Sequence, residues 1–218
     1  MKNSRFVVAL AGCILFMATV RAEDYVRYKA SPLGSSVHLD GSANIHDWTM
    51  DGTIIGGWLD LPAGVVLDSA QAAVGGAADG KIAAHAEVGI PVTSIKNVTW
   101  EGMNEVMQAT MNATNFPRIV YKLSEMTLKQ PHTAGTPFQF DTTGELAING
   151  VTNKISMPVS IETVDKSQLK IIATKIPVNM TDYKVQPPVT AGVFTTKPEV
   201  KITFTWIVKL LAKPAESK

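Results

Sequence analysis

The chain has 218 residues, 45% hydrophobic and 18% charged, with a formal net charge of +1. That supplies ample apolar material for a core and too little charge for a disordered chain or a polyanion binder. Closed β-barrels run to about 200 residues as single units, so one domain accounts for the length.

At the N-terminus Lys2 and Arg5 precede an uncharged apolar run from Phe6 to Val20. Val20-Arg21-Ala22 then places small residues where a signal peptidase reads. The pattern predicts a signal peptide over residues 1–22, hence a periplasmic protein with its domain over 23–211 and a flexible tail over 212–218. A competing reading is a lipobox at Leu10-Ala11-Gly12-Cys13, which would tether an outer-membrane lipoprotein through Cys13. Ile14, Leu15 and Phe16 after the cysteine count against it, because a mature lipoprotein begins with a polar tether. An apolar run of about 15 residues is too short to span a bilayer, which takes about 20, so the mature protein is expected to have no transmembrane span. Cleavage removes three basic residues, no acid and the one cysteine, leaving a net charge of −2 with neither disulfide nor thiol. Nucleic acid is therefore not an expected partner.

Beyond a short extended lead-in, Ser36 to His46 alternates, with apolar or small residues at odd positions, which predicts a strand with one face buried. Asp51-Gly52, Asp79-Gly80 and Asn149-Gly150 stand between successive strand-like runs and predict tight hairpin turns. The runs they separate are Thr53 to Leu61, Val66 to Val74, Lys81 to Val92, Phe138 to Ile148 and Val151 to Ile161. Ile172, Thr174, Ile176 and Val178 are expected on one side of the next strand. In the last strand Val200, Ile202, Phe204, Trp206, Val208 and Leu210 form the inward face, and the outward face is polar except for Ile207.

One segment departs from this period. Met103, Val106, Met107, Thr110 and Met111 recur at helical spacing and end before Asn115-Phe116-Pro117, predicting one short helix as a lid or plug. Methionines that merely cover core are the competing reading. The fold class is thus all-β: an antiparallel, lipocalin-like β-barrel of about eight strands with one short helix at a barrel end.

Several stretches in order resemble the YceI-like family of exported bacterial barrels. They are Ser42 to Trp48, Met103 to Tyr121, Thr143 to Thr152, Pro187-Pro188 and Glu199 to Ile202. The arginine- and aspartate-rich helix start of other members is absent at Trp100 to Asn104. The resemblance implies a binding protein for a long apolar lipid such as a polyprenyl chain. No cofactor beyond a bound isoprenoid lipid, and no catalysis, is implied.

Residues expected to line the lumen or its helix are Ala43, Ile45, Met103, Met107, Met111, Ile119, Tyr121, Phe138, Phe140, Ile148, Met157, Ile172, Ile176, Phe204 and Trp206. Small inward residues, Gly41, Ala43, Ala84, Ala86 and Gly144, are expected to leave room between them. An apolar chain suits such a space because burial contributes about 0.8 kcal/mol per CH₂ without a directional partner.

Polar chemistry is thinly supported. His38, His46, His85 and His132 lack metal-ligand spacing; His38 and His46, eight apart on one strand, are separated by roughly 26 Å. Leu33-Gly34-Ser35-Ser36 lacks the second glycine of a nucleophile elbow. Neither Gly56-Gly57 nor Gly75-Gly76 is followed by the lysine and hydroxyl of a phosphate loop. Two alternatives stay open: a side-chain-filled barrel acting as a structural or interaction module, and a barrel enzyme using Tyr121, Asp182 or Tyr183 as acid or base.

Overall fold

A computed structural model describes residues 24–68, 74, 80–129, 132–190 and 192–211. The expected signal peptide with Cys13, most of the run from Val66 to Val74, Gly75-Gly76, Asp79 and the expected tail over 212–218 lie outside them.

The strands are β1 (Tyr25–Ala30), β2 (Ser36–Ala43), β3 (Asp47–Gly52), β4 (Gly56–Pro62), β5 (Lys81–Ile82), β6 (His85–Pro91), β7 (Arg118–Leu128), β8 (Phe138–Ile148), β9 (Val151–Asp165), β10 (Gln168–Asn179), β11 (Val189–Thr190) and β12 (Phe194–Leu210). Among the described residues one α-helix, α1 (Glu101–Thr110), lies between β6 and β7, and short 3-10 turns stand at Val92–Ser94 and Met180–Tyr183. The pairing order β1-β4-β6-β7-β8-β9-β10-β12 returns on itself through β1 and β12. The result is a closed antiparallel barrel of eight strands, closed by the pairing of β1 with β12.

Two of its staves are bent. β12 pairs with β2 through Thr196 to Thr205 and with β1 through Val208 to Leu210, so β1 and β2 are successive halves of one stave. β3 and β4 form the next, pairing with β2 and β1 respectively. The first break is the loop Ser31 to Ser35, which stitches itself to β12: Ser31 N–H donates to the Ile207 carbonyl at 2.8 Å, and Ile207 N–H donates to Ser35 Oγ at 3.0 Å. Gly34 rests on Ile207. The apolar residue on the outward face of the last strand is therefore buried under this loop, with 7% exposure.

Turn chemistry holds at Asn149-Gly150, whose φ angles of 50° and 74° are those of a tight two-residue hairpin. It fails at Asp51-Gly52. The β2–β3 hairpin turns at Asn44 to His46, where Ala43 N–H donates to the His46 carbonyl, and Asp51-Gly52 is the end of β3 itself. Hydrogen bonds in both directions between Asp51 and Lys96, at 2.7 and 2.8 Å, make it a ladder position instead of a corner.

β10 changes its inward phase along its length. Leu169, Ile171 and Ala173 are buried, then the phase changes and Ile176 and Val178 are buried. Its register against β12 slips between Ala173 and Ile176, where Lys175 adopts φ 54°. This bulge inserts one residue and flips the face. Ile172 consequently stands on the outer face, half-buried, and does not enter the lumen.

The barrel has a packed end and a hollow end. Phe138, Phe140, Trp206, Val208, Leu59, Leu61, Leu169 and Ile171 fill the first, all buried, with both phenylalanines at 0% exposure. α1, the β2–β3 and β8–β9 turns and the β10–β12 connection surround the second.

Candidate ligand-binding site

At the hollow end the interior contains a cavity of about 460 Å³. Its walls come from strands whose inward positions alternate down the barrel. β2 and β3 contribute Leu39, Ala43, Trp48 and Met50; β7 and β8 contribute Ile119 and Ile148; β12 contributes Phe194, Thr196, Val200 and Ile202. The end of β10 and its following turn add Val178, Met180, Tyr183, Val185 and Pro188. α1 roofs it: Met103, Val106, Met107 and Thr110, with Trp100 before the helix and Met111 after it, all face the cavity. Helical spacing puts these residues on one side, and Glu101, Glu105 and Ala109 on the exposed side.

The roof is anchored at both ends. Asn97 fixes the loop before it, its Oδ1 accepting from the backbone N–H of Thr99 and of Trp100, while its Nδ2 donates to the Thr49 carbonyl at 2.8 Å. Asn104 Oδ1 accepts from Asn97 N–H at 2.6 Å, tying the helix to the same loop. Beyond the helix, Phe116 covers Gly150 at the β8–β9 turn.

Beneath lies a smaller compartment of about 80 Å³, reaching Tyr121, Leu146, Ile155, Met157, Ile176 and Phe204. Leu39, Ile95, Ile119, Val178 and Ile202 border both spaces. The Tyr121 hydroxyl is buried there, and desolvation raises its pKa, partly offset by the Thr142 hydroxyl. Thr142 itself donates to the Met157 carbonyl at 2.8 Å.

The structure thus gathers Ala43, Met103, Met107, Met111, Ile119 and Ile148 around the larger space, and Tyr121, Met157, Ile176 and Phe204 around the smaller. Phe138, Phe140 and Trp206 belong to the packed end and line neither. Ile45 sits on the β2–β3 turn, 62% exposed, and Ile172 on the outer wall. Two of the small inward residues leave no empty room. A Cβ on Gly41 would lie 2.0 Å from Trp48 Cζ2, and one on Gly144 would lie 2.6 Å from the Tyr121 hydroxyl. The space they release is occupied by aromatic rings of the neighbouring strands.

Sequence reasoning passed over Trp48 and Trp100. Gly41 and Trp48 are direct cross-strand partners, and a glycine opposite an aromatic residue is a recognised sequence signal for a ring folded across the pair.

The polar candidates disperse. His46 lines the cavity mouth and meets Phe194 edge-on, with ring centroids 6.1 Å apart. His38 lies on the outer wall between Asp51 and Asp40. Asp182 is exposed and off the cavity wall, and its backbone carbonyl accepts from Asn153 Nδ2 at 2.7 Å. Tyr183 is buried, its pKa raised by desolvation and then by Asp182. Among the described residues no three His, Cys, Asp or Glu side chains are placed to hold a metal ion. No helix among them is long and apolar enough to cross a membrane.

A closed eight-stranded barrel with an apolar cavity under a methionine-rich helix defines a lipocalin-like barrel protein. The sequence model of the YceI-like domain matches residues 28–207, and the chain belongs to that family. A polyisoprenoid binding domain from Saccharophagus degradans, implicated in plant cell wall breakdown, superposes with a TM-score of 0.60 at 13% identity, over 84% of this chain and 98% of that one. BcnA of Burkholderia cenocepacia superposes with a TM-score of 0.56 at 17% identity, over 79% of this chain and 95% of its own. At these identities the likeness is one of fold. No curated protein sequence matches the chain.

Proposed function

We propose that this is an exported, non-catalytic binding protein that carries a long apolar lipid of the polyisoprenoid kind in the cavity beneath α1. The observation that carries this reading is the 460 Å³ space walled almost wholly by aliphatic, thioether and aromatic side chains. Its volume falls within the roughly 300–1,000 Å³ of small-molecule sites. Such walls offer burial without direction, which suits a chain of methyl and methylene groups worth about 0.8 kcal/mol per CH₂. Thioethers on the roof add adaptability, since methionine repacks around different chain shapes at low cost. The structural neighbour described as a polyisoprenoid binding domain supports the same class of ligand. The cavity favours a carrier over a filled-barrel interaction module, which would have packed this space with its own side chains.

The test is native mass spectrometry of the mature protein after incubation with geranylgeraniol, together with organic extraction of the protein as purified. A one-to-one complex with the prenol is expected. If neither added nor co-purified lipid is found, the carrier reading falls and the interaction module takes its place.

A further inference from the structure

The two sides of the cavity mouth differ in chemistry. On one side stand the β2–β3 turn, the β11–β12 hairpin and the loop before α1. Asn44 joins the first two, its Nδ2 donating to the Val193 carbonyl at 2.8 Å and its Oδ1 accepting from Thr195 N–H at 3.0 Å. Asn97 joins the third through the Thr49 carbonyl. This lip presents Ile45, Val98, Trp100, Val189 and Val193 to solvent, at 62%, 89%, 52%, 60% and 56% exposure. The opposite lip is made by the β8–β9 turn and the turn after β10, clamped by Asn149 and Asn153 donating to the carbonyls of Tyr183, Lys184 and Asp182. Its exposed side chains include Lys154, Asp182 and Lys184.

Burial alone does not account for five large apolar side chains held in water on one lip, and clustered exposure of this kind marks an interaction surface. What it contacts follows from continuity. Trp100 is half-exposed on the lip and also lines the cavity, with His46 and Phe194 beside it at the mouth. Trp100 therefore links the apolar side chains outside the barrel to those of its interior. A partner covering the lip also covers the route into the cavity, and a lipid bilayer fits both parts.

We propose that this lip docks the barrel mouth on a bilayer, its aliphatic tips and Trp100 entering the boundary between headgroups and acyl chains while the polar lip stays in water. Indole rings favour that boundary because one edge is apolar and the other donates a hydrogen bond. Docking brings the cavity mouth level with the chains of the lipids. The proposal rests on the lipid-carrier reading for its purpose, though the docking itself is measurable without any cargo.

Flotation with phosphatidylcholine vesicles tests it, comparing the wild type with the triple variant Ile45→Ser, Val98→Ser, Val193→Ser, whose changes touch only exposed side chains. The wild type should float, with Trp100 emission shifting to the blue, and the variant should lose partitioning by about tenfold or more. Geranylgeraniol supplied from ethanol should still bind the variant as it binds the wild type, while uptake from vesicles slows. A wild type that stays with the buffer, or a variant that floats equally well, overturns the proposal. Lip-dependent dimerisation without flotation overturns it too, assigning the surface to a second copy. Flotation without prenol binding would support the docking and remove the carrier reading instead.

Discussion

Phe116 covers Gly150 so closely that a Cβ added there would lie 2.5 Å from its Cε1 and Cζ. Gly150 also holds φ 74°, which a side chain resists. Gly150→Ala should therefore strain the turn and displace the ring that anchors the C-terminal end of the roof. A loss of about 1–3 kcal/mol in thermal or denaturant unfolding is expected. Amide exchange across Met103 to Met111 should quicken more than across β8 or β9. Unchanged exchange in α1 would show that Phe116 does not hold it.

Met107 faces the cavity from the middle of the roof. Met107→Trp places a larger ring into that space without adding charge. Competition with a fluorescent apolar dye should show prenol affinity falling about tenfold or more, with the unfolding midpoint little changed because the space is empty of protein atoms. Undiminished uptake would mean that lipid is held elsewhere.

Phe140 belongs to the packed end, at 0% exposure. Phe140→Ala should cost about 3–5 kcal/mol of stability, the usual price of a large cavity in a dry core. Prenol affinity, measured where the variant is still folded, should stay within about twofold of wild type, because the ring lines neither compartment. A large affinity loss in the folded variant would extend the binding site into the packed end.

His38 places Nδ1 2.6 Å from Asp51 Oδ1 and Nε2 3.1 Å from Asp40 Oδ1. The bond to Asp51 raises the imidazole above its ordinary value of 6.5; desolvation opposes it, and the weaker bond to Asp40 adds to the rise. A raised folded-state pKa stabilises fully below the unfolded value and loses that contribution as pH rises through the folded one. The side chain is 39% exposed, so solvent screening leaves under about 1 kcal/mol. Denaturant midpoints of the wild type and His38→Ala should differ most below pH 6.5 and converge in the pH window above it. A gap that widens with pH would contradict the assignment.

Strand periodicity made most of the barrel legible, because alternating burial is a local property of each strand. β8 shows this from Phe138 to Ile148, where every second residue is buried. Misreadings occur where backbone geometry changes phase without a sequence mark. Lys175 at φ 54° is one such place, and its bulge moved Ile172 to the outside. Asp51-Gly52 is another: the dipeptide suits a turn, but tertiary pairing with Lys96 holds it extended. The helix marked the open end, but how far the open space reaches into the barrel was not legible. Phe138 and Phe204 are both inward aromatics in sequence, yet one is packed solid and the other borders open space, a difference set by what lies across the barrel.

Closure of the ring sets Tyr28 opposite Leu210. The stave that completes the barrel follows all the others along the chain, and it must dock on both halves of the first. Until it arrives, β1 and β2 have an open edge, and no enclosed cavity exists. Folding is thus governed by contacts between the two ends of the domain, which are slow to form because of the long loop they close. The enclosed cavity is therefore the last feature of this topology to form, since its wall is complete only when nearly all of the domain is available.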